Sequence, residues 1–237
     1  MIVIPIAGKS KRFKDAGIPM PKWSLVVDGM TVLDKSINSI KPSLRESETV
    51  LLVINTGDEV FLNPILDKHK EIQIVICALS ADTLGQADTV RQALIEYPHN
   101  PKERLVIWCG DSAFNPAALN FREASGNYLA VAKLAGDHWS FVESDNLIAR
   151  RLVEKIRISE LASIGLYGFK SVEELLNLDF HKILQDNTEM YVAPLYNQLI
   201  AQGGQIRIIE LDKEDFYPFG TPEEFFTTCY NLGWASS

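Results

Sequence analysis

Ile4-Pro5-Ile6-Ala7-Gly8-Lys9-Ser10-Lys11-Arg12-Phe13, closed further on by Pro21-Lys22, is the stretch that decides how the chain reads. Ile2–Ala7 is a short apolar run rich in β-branched residues, so it predicts a buried strand. The strand opens into a loop over residues 8–22, with Gly17, Pro19 and Pro21 as breakers. A strand that ends in a small-residue turn presents consecutive backbone N–H groups, and such donors cradle phosphate oxygens. Gly8 lets a ligand approach the backbone without meeting a Cβ. Arg12 and Lys22 would add charge-assisted bonds to the same phosphates. The spacing matches neither the dinucleotide G-x-G-x-x-G nor the P-loop G-x-x-x-x-G-K-[ST]. The bland alternative is a solvated, charged surface loop.

Outward from that stretch, strands and helices alternate. Strands are predicted over 49–54, 72–77 and 104–109, and helices over 31–40, 58–70 and 85–97, with Pro64 as an expected kink. This alternation predicts a largely parallel sheet with helices on both faces. After Gly110 the pattern changes. Residues 128–133, 138–143, 149–158 and 162–169 all look like strands, which suggests an antiparallel extension of the same sheet. Helices over 173–178 and 191–202, a strand over 205–211 and a last helix over 222–232 complete the pass. Thr221 is the expected N-cap of that last helix, with Pro222 at its first position. The fold class expected is α/β: a mixed, mostly parallel Rossmann-like sheet flanked by helices. One domain over 1–237 is the economical division, with two sub-regions, 1–115 and 116–237.

The chain of 237 residues is 46% hydrophobic with mean hydropathy +0.01. That excludes a disordered chain, and no apolar run approaches the roughly 20 residues a membrane span needs. The apolar start precedes the basic residues, the reverse of a secretory signal, so none is read. Cys77, Cys109 and Cys229 show neither metal spacing nor a disulfide framework, which points to a reducing cytoplasm. The net charge of −8 argues against nucleic-acid binding. It is unevenly spread: residues 1–22 carry Lys9, Lys11, Arg12, Lys14 and Lys22 against Asp15, a local +4 on an acidic body. A polyanion such as a nucleoside triphosphate fits such a pocket.

A second motif, Trp108-Cys109-Gly110-Asp111, ends the fourth strand. Ligands collect at strand carboxyl ends in open α/β sheets, and Mg²⁺ takes one or two carboxylates plus phosphate oxygens, so Asp111 is a metal candidate. Its alternative is a turn-capping aspartate. His69, His99, His138 and His181 show no paired metal spacing.

Ala7-Gly8-Lys9-x-x-Arg12-Phe13 with Pro21-Lys22 resembles the signature of the sugar-phosphate nucleotidyltransferases, also called nucleotide-sugar pyrophosphorylases. Members often have a second glycine where this chain has Ser10. The resemblance spans the chain and implies Mg²⁺ as cofactor, a nucleoside triphosphate and a small phosphorylated acceptor as substrates, and no nucleic-acid or membrane partner. A homo-oligomer is the default expectation. It implies Arg12 and Lys22 as catalytic residues, and Ala7, Gly8, Lys9, Ser10 and Lys11 as the triphosphate cradle. Asp82-Thr83-Leu84-Gly85-Gln86-Ala87 resembles the segment that reads the base, which implicates Gly85 and Gln86. An amide both donates and accepts, as base reading requires. Without the resemblance, that segment is an ordinary helix start with Thr83 as cap.

Val153-Glu154-Lys155 followed by Gly165-Leu166-Tyr167-Gly168-Phe169 resembles the family's acceptor half, where the lysine holds the acceptor phosphate. Lys155 and, from Glu189-Met190-Tyr191, Glu189 are the acceptor candidates. The departure comes at Tyr217-Pro218-Phe219-Gly220-Thr221. Many members have an aspartate two residues before the Gly-Thr as their second metal ligand, and this chain has Pro218 there. Asp215 is the candidate replacement, with Asp212 and Glu214 as alternatives. Compact members act in capsule and surface-glycan pathways, which is the role implied by analogy. A catalytically silent nucleotide-binding subunit on the same scaffold is the second reading. A glycosyltransferase would require an Asp-x-Asp motif, absent at Gly110-Asp111-Ser112.

Overall fold

The structure, a computed structural model, describes residues 1–233. The first half runs β1 (Ile2–Pro5), α1 (Lys11–Asp15), β2 (Val26–Val27), β3 (Met30–Thr31), α2 (Val32–Ile40), β4 (Val50–Asn55), α3 (Asn63–Lys68), β5 (Ile74–Leu79), α4 (Gln86–Glu96), β6 (Leu105–Trp108) and β7 (Ser112–Phe114). The second runs β8 (Asn127–Lys133), β9 (Ser140–Asp145), β10 (Ile148–Glu154), β11 (Leu161–Phe169), α5 (Val172–Leu176), α6 (Ile183–Asp186), α7 (Leu195–Ala201), β12 (Ile206–Glu210), β13 (Phe216–Pro218) and α8 (Pro222–Asn231).

Nine strands form one sheet in the order β5-β4-β1-β6-β11-β8-β12-β10-β9. β5, β4, β1 and β6 are mutually parallel. The mixed sheet expected from the sequence is what the chain builds. The second half is antiparallel except that β12 runs parallel to β8. The buried strands are apolar on both faces because both faces are covered. Val3, Leu51, Val53, Leu105 and Ile107 pack with α4, α5 and α7 on one side. Ile2, Ile4, Leu52, Val106 and Trp108 pack with α2 and α3 on the other.

From β1 the chain moves outward through β4 to β5, then crosses back to lay β6 on the other flank of β1. The carboxyl ends of β1 and β6 are therefore the switch point of the sheet, where open α/β folds leave a crevice. The loop after β1 and Asp111 after β6 both issue there.

Several local expectations are corrected. Residues 8–22 are not all loop: they include α1, and a 3₁₀ turn at Lys22–Ser24 follows. The helix expected over 58–70 is a 3₁₀ turn, Asp58–Phe61, followed by α3, and Pro64 sits in the first turn of α3 rather than kinking a longer helix. The helix expected from Tyr191 begins only at Leu195, after Pro194 at its N-cap. The strand pair β7–β13 and the hairpin β2–β3 went unread, because two- and three-residue strands carry no usable period. Thr221 caps α8 with Pro222 at its first position, as expected, and the cap is a full capping box, with Thr221 Oγ1 accepting from the Glu224 backbone and the Glu224 carboxylate from that of Thr221. Among the described residues no helix is long and apolar enough to cross a membrane.

Candidate active site

A cleft of about 840 Å³ opens over the carboxyl ends of β1 and β6. Its floor at one end is the loop after β1. Ser10 stands at φ 50°, the left-handed region that favours glycine. Its hydroxyl accepts from the Lys22 backbone N–H at 3.0 Å, which ties the two ends of the loop together. A Cβ on Gly8 would meet nothing within 4 Å, so the protein itself leaves that space open. Phe13 is buried and packs edge-on against Phe225 of α8 at 6.2 Å, which anchors α1. Arg12, beside it, is exposed and lines the cleft, and its guanidinium has no hydrogen-bond or ion-pair partner among the described residues.

Asp111 is set by its neighbours. A Cβ on Gly110 would lie 2.4 Å from Ile6 and 2.7 Å from Ile4, so only glycine lets the chain cross β1 there. The Asp111 carbonyl accepts from Phe219 N–H at 3.0 Å, and its carboxylate Oδ2 takes Lys22 Nζ at 2.5 Å. The two residues singled out separately for charge thus meet directly.

Gly85 and Gln86 open α4 at the rim of the cleft. Gly85 has φ +136°, and a Cβ there would lie 2.6 Å from the Met190 backbone nitrogen. Its glycine is thus required by the 188–191 segment packed on it, as Ala87 N–H and Met190 N–H bonds also show. Thr83 does not cap α4. Gly85 is the N-cap, and Thr83 Oγ1 bonds Thr89 Oγ1 at 2.7 Å. Gln86 donates to Cys109 Sγ at 2.8 Å, which leaves its carbonyl oxygen available. Burial, together with the nearby Asp111 charge, pushes the Cys109 thiol up to about 12, so it stays protonated. Lys9 and Asp82 pair at 2.7 Å on the rim.

Lys155 and Glu189 both line the cleft. Lys155 stands at φ 56° just past β10, and its backbone N–H donates to the Trp139 carbonyl. Its ammonium donates to Tyr191 Oη and lies 4.6 Å from the Tyr191 ring centroid. Among the lining residues that had no role from the sequence are Glu154, His138, Trp139 and Glu224. Glu154 sat in a quoted motif, but only the fold shows that it faces the cleft. Burial pushes its carboxyl up and Glu189 adds to this, against the Ser140 hydroxyl bond and the Lys155 charge. The loop after β1 thus brings Lys9, Lys11, Arg12 and Lys22 to the cleft, Lys9 paired with Asp82 and Lys22 with Asp111, while Glu154, Lys155, Glu189 and Glu224 line it from other elements.

Asp215 is not in this cleft. β13 pairs antiparallel with β7, with Pro218 opposite Ser112 and Phe216 opposite Phe114. That register puts Pro218 beside Asp111 and carries Asp215 to the far end of the ladder, where it accepts from Asn115 Nδ2 at 2.8 Å. With Asp212 and Glu214 it lines a separate pocket of about 520 Å³. Among the described residues no three His, Cys, Asp or Glu side chains cluster as a self-sufficient metal site. The donor set still suits Mg²⁺, which needs only one or two carboxylates when phosphate oxygens complete its shell.

No family model matches the sequence, and no curated protein does. Solved structures do. The nucleoside-diphosphate-sugar pyrophosphorylase from Vibrio cholerae RC9 is 28% identical with a TM-score of 0.85, over 97% of this chain and 100% of that one. The chain has the fold of the nucleotide-sugar pyrophosphorylases. The inositol-1-phosphate CTP transferase from T. maritima superposes with a TM-score of 0.75 at 15% identity, over 98% of this chain and 95% of that one. A UDP-glucose pyrophosphorylase complexed with UDP-glucose does so at 0.79 and 14%, over 100% and 98%. The last two speak for fold alone. All three structural neighbours are nucleotidyltransferases, as the sequence resemblance implied.

Proposed function

We propose that the chain is a nucleotidyltransferase that joins a nucleoside triphosphate to a sugar phosphate or another small phosphate, with release of pyrophosphate. The observation that carries this is the cleft at the sheet's switch point, lined by four basic side chains of the loop after β1, Lys9, Lys11, Arg12 and Lys22. An Arg12 guanidinium with no partner among the described residues and an open Gly8 backbone lie on that loop, and Lys155 lines the same cleft. In the reaction an acceptor phosphate oxygen attacks the α-phosphorus in line. A new P–O bond forms as the bond to the bridging oxygen breaks, and the electron pair leaves with pyrophosphate. Such transfers need alignment and charge neutralisation rather than covalent help. Arg12 and the 8–11 backbone would hold the β- and γ-phosphates and stabilise the leaving pyrophosphate. Lys22, 2.5 Å from Asp111, would contact the α-phosphate as charge develops. Gln86 would read the base with its free carbonyl, and Lys155 and Glu189 would seat the acceptor. Asp111 would hold Mg²⁺, whose contribution is to neutralise the phosphate oxygens around the reacting phosphorus.

Work in the cytoplasm, as a homo-oligomer and without nucleic-acid or membrane partners, belongs to the same reading. The net charge of −8 supports the exclusion of nucleic acid. A surface-glycan role rests on analogy between compact members.

Ligand-induced thermal stabilisation tests the nucleotide half of the proposal. With Mg²⁺ and ATP, CTP, GTP, UTP or dTTP in turn, one nucleotide is expected to raise the unfolding midpoint, because ligand bound to the native state adds RT ln(1 + [L]/Kd). No rise with any of the five would overturn it.

A further inference from the structure

With Pro218 in place of an aspartate and Asp215 at the wrong end of its ladder, Asp111 lacks the carboxylate partner that the sequence reading sought. The structure offers another. Glu224, the third residue of α8, lines the cleft with its side chain only 15% exposed. The point where a Cβ on Gly220 would stand lies 3.1 Å from Glu224 Oε2 and 3.4 Å from Asp111 Oδ2. Both carboxylates therefore border the space that Gly220 leaves empty, with Asp111 Oδ2 also taking the Lys22 ammonium at 2.5 Å. Gly220 is not at positive φ, so its backbone does not demand glycine.

We infer that Glu224 supplies the second carboxylate of the divalent-cation site, in place of the one missing at Pro218. The inference rests on the nucleotidyltransferase reading for the presence of that cation. Glu224 is well held for the task. Its Oε2 accepts from Thr221 N–H at 2.9 Å, and its Oε1 lies 2.6 Å from His138 Nε2. Each carboxylate oxygen has two lone-pair sites, so both contacts leave acceptor capacity towards the gap. Two carboxylates with phosphate oxygens make the usual magnesium environment. Asp111 follows β6 and Glu224 opens α8, and Phe219 N–H bonding to the Asp111 carbonyl clamps the two elements together. The position of the lost ligand and its replacement thus lie on one short segment, 218–224.

The test is Mn²⁺ binding, read from the electron paramagnetic resonance of free Mn²⁺ with the full chain and no nucleotide. Glu224→Gln keeps the capping bond, since glutamine serves in capping boxes as glutamate does. It removes only the charge. Wild type is expected to take up one Mn²⁺, and Glu224→Gln and Asp111→Asn each to weaken it about tenfold or more. The metal-free unfolding midpoint of Glu224→Gln should stay at the wild-type value. Gly220→Ala, which puts a methyl into the gap, should weaken Mn²⁺ as well. Pro218→Asp added to Glu224→Gln should recover binding. Wild-type affinity in Glu224→Gln with a loss in Asp111→Asn would overturn the inference and leave the nucleotidyltransferase reading standing. No Mn²⁺ uptake by the wild-type protein would overturn the two-carboxylate site and leave Asp111 with phosphate oxygens as the cation's donors in that reading.

Discussion

Gly85, Gly110 and Gly220 are three glycines at the cleft with three different physical reasons. Gly110 has no room because β1 side chains press on it, and Gly85 because the Met190 backbone does. Gly220 leaves a gap between carboxylates. Gly85→Ala therefore places a methyl 2.6 Å from a backbone nitrogen at φ +136° and must displace the 188–191 segment. The expected result is a loss of about 1–3 kcal/mol, with a weakened acceptor Michaelis constant because Glu189 moves. Urea unfolding and acceptor titration check it, and unchanged values for both would contradict this packing role. A place on the cleft was legible where it depended on residue type and local spacing, as with Arg12, Lys22, Asp111 and Lys155. It was not legible where it depended on facing. Glu224 was visible only as a helix-start glutamate, since nothing local says that it looks across Gly220 at Asp111.

At the scale of elements, buried ion pairs brace the ends of strands and helices away from the cleft. Glu48 precedes β4 and Arg104 precedes β6, and they meet at 2.7 and 2.8 Å. Burial alone would raise the Glu48 carboxyl, but the Arg104 bonds and the Arg45 backbone N–H outweigh it and hold it at about 2. Asp34, buried on α2, is likewise held well below the usual carboxylate range. Its burial is outweighed by bonds from His69, the Thr31 backbone and Lys68. Both native values lie below the unfolded ones, so this stability is full above the unfolded pKa and is lost as pH falls through the native one. For Glu48 the window runs from about pH 5 down to about 2 and is worth about 3 kcal/mol. Glu48→Gln should flatten that part of the acid limb in unfolding measured against pH. A variant as acid-sensitive as wild type would contradict it. Long apolar strands and the capped helix α8 could be read from pattern. β7 and β13 could not, and their register alone decides that Pro218 and not Asp215 borders Asp111. Asp111 to Asn115 is four residues of extended chain, roughly 13 Å, and Asp215 lies at the Asn115 end.

At the scale of the molecule, strand order creates the site. Because β4 and β5 lie on one flank of β1 and β6 on the other, the first loop and Asp111 open into the same crevice. The antiparallel half adds Lys155 and Glu154 to the same cleft. Alternation of strands and helices made the parallel half readable. The parallel placing of β12 beside β8 depends on contacts far apart in sequence and was not. The central claim is that this crevice moves a nucleotidyl group, and pyrophosphate release measures it most directly. The protein would be incubated with Mg²⁺, each of five nucleoside triphosphates and a panel of phosphorylated sugars and alcohols. The expected result is release with one nucleotide that depends on one acceptor, falling about 100-fold or more in Arg12→Ala while the unfolding midpoint is unchanged. A nucleotide that stabilises the protein but yields no pyrophosphate with any acceptor, or an Arg12→Ala protein as active as wild type, would contradict it.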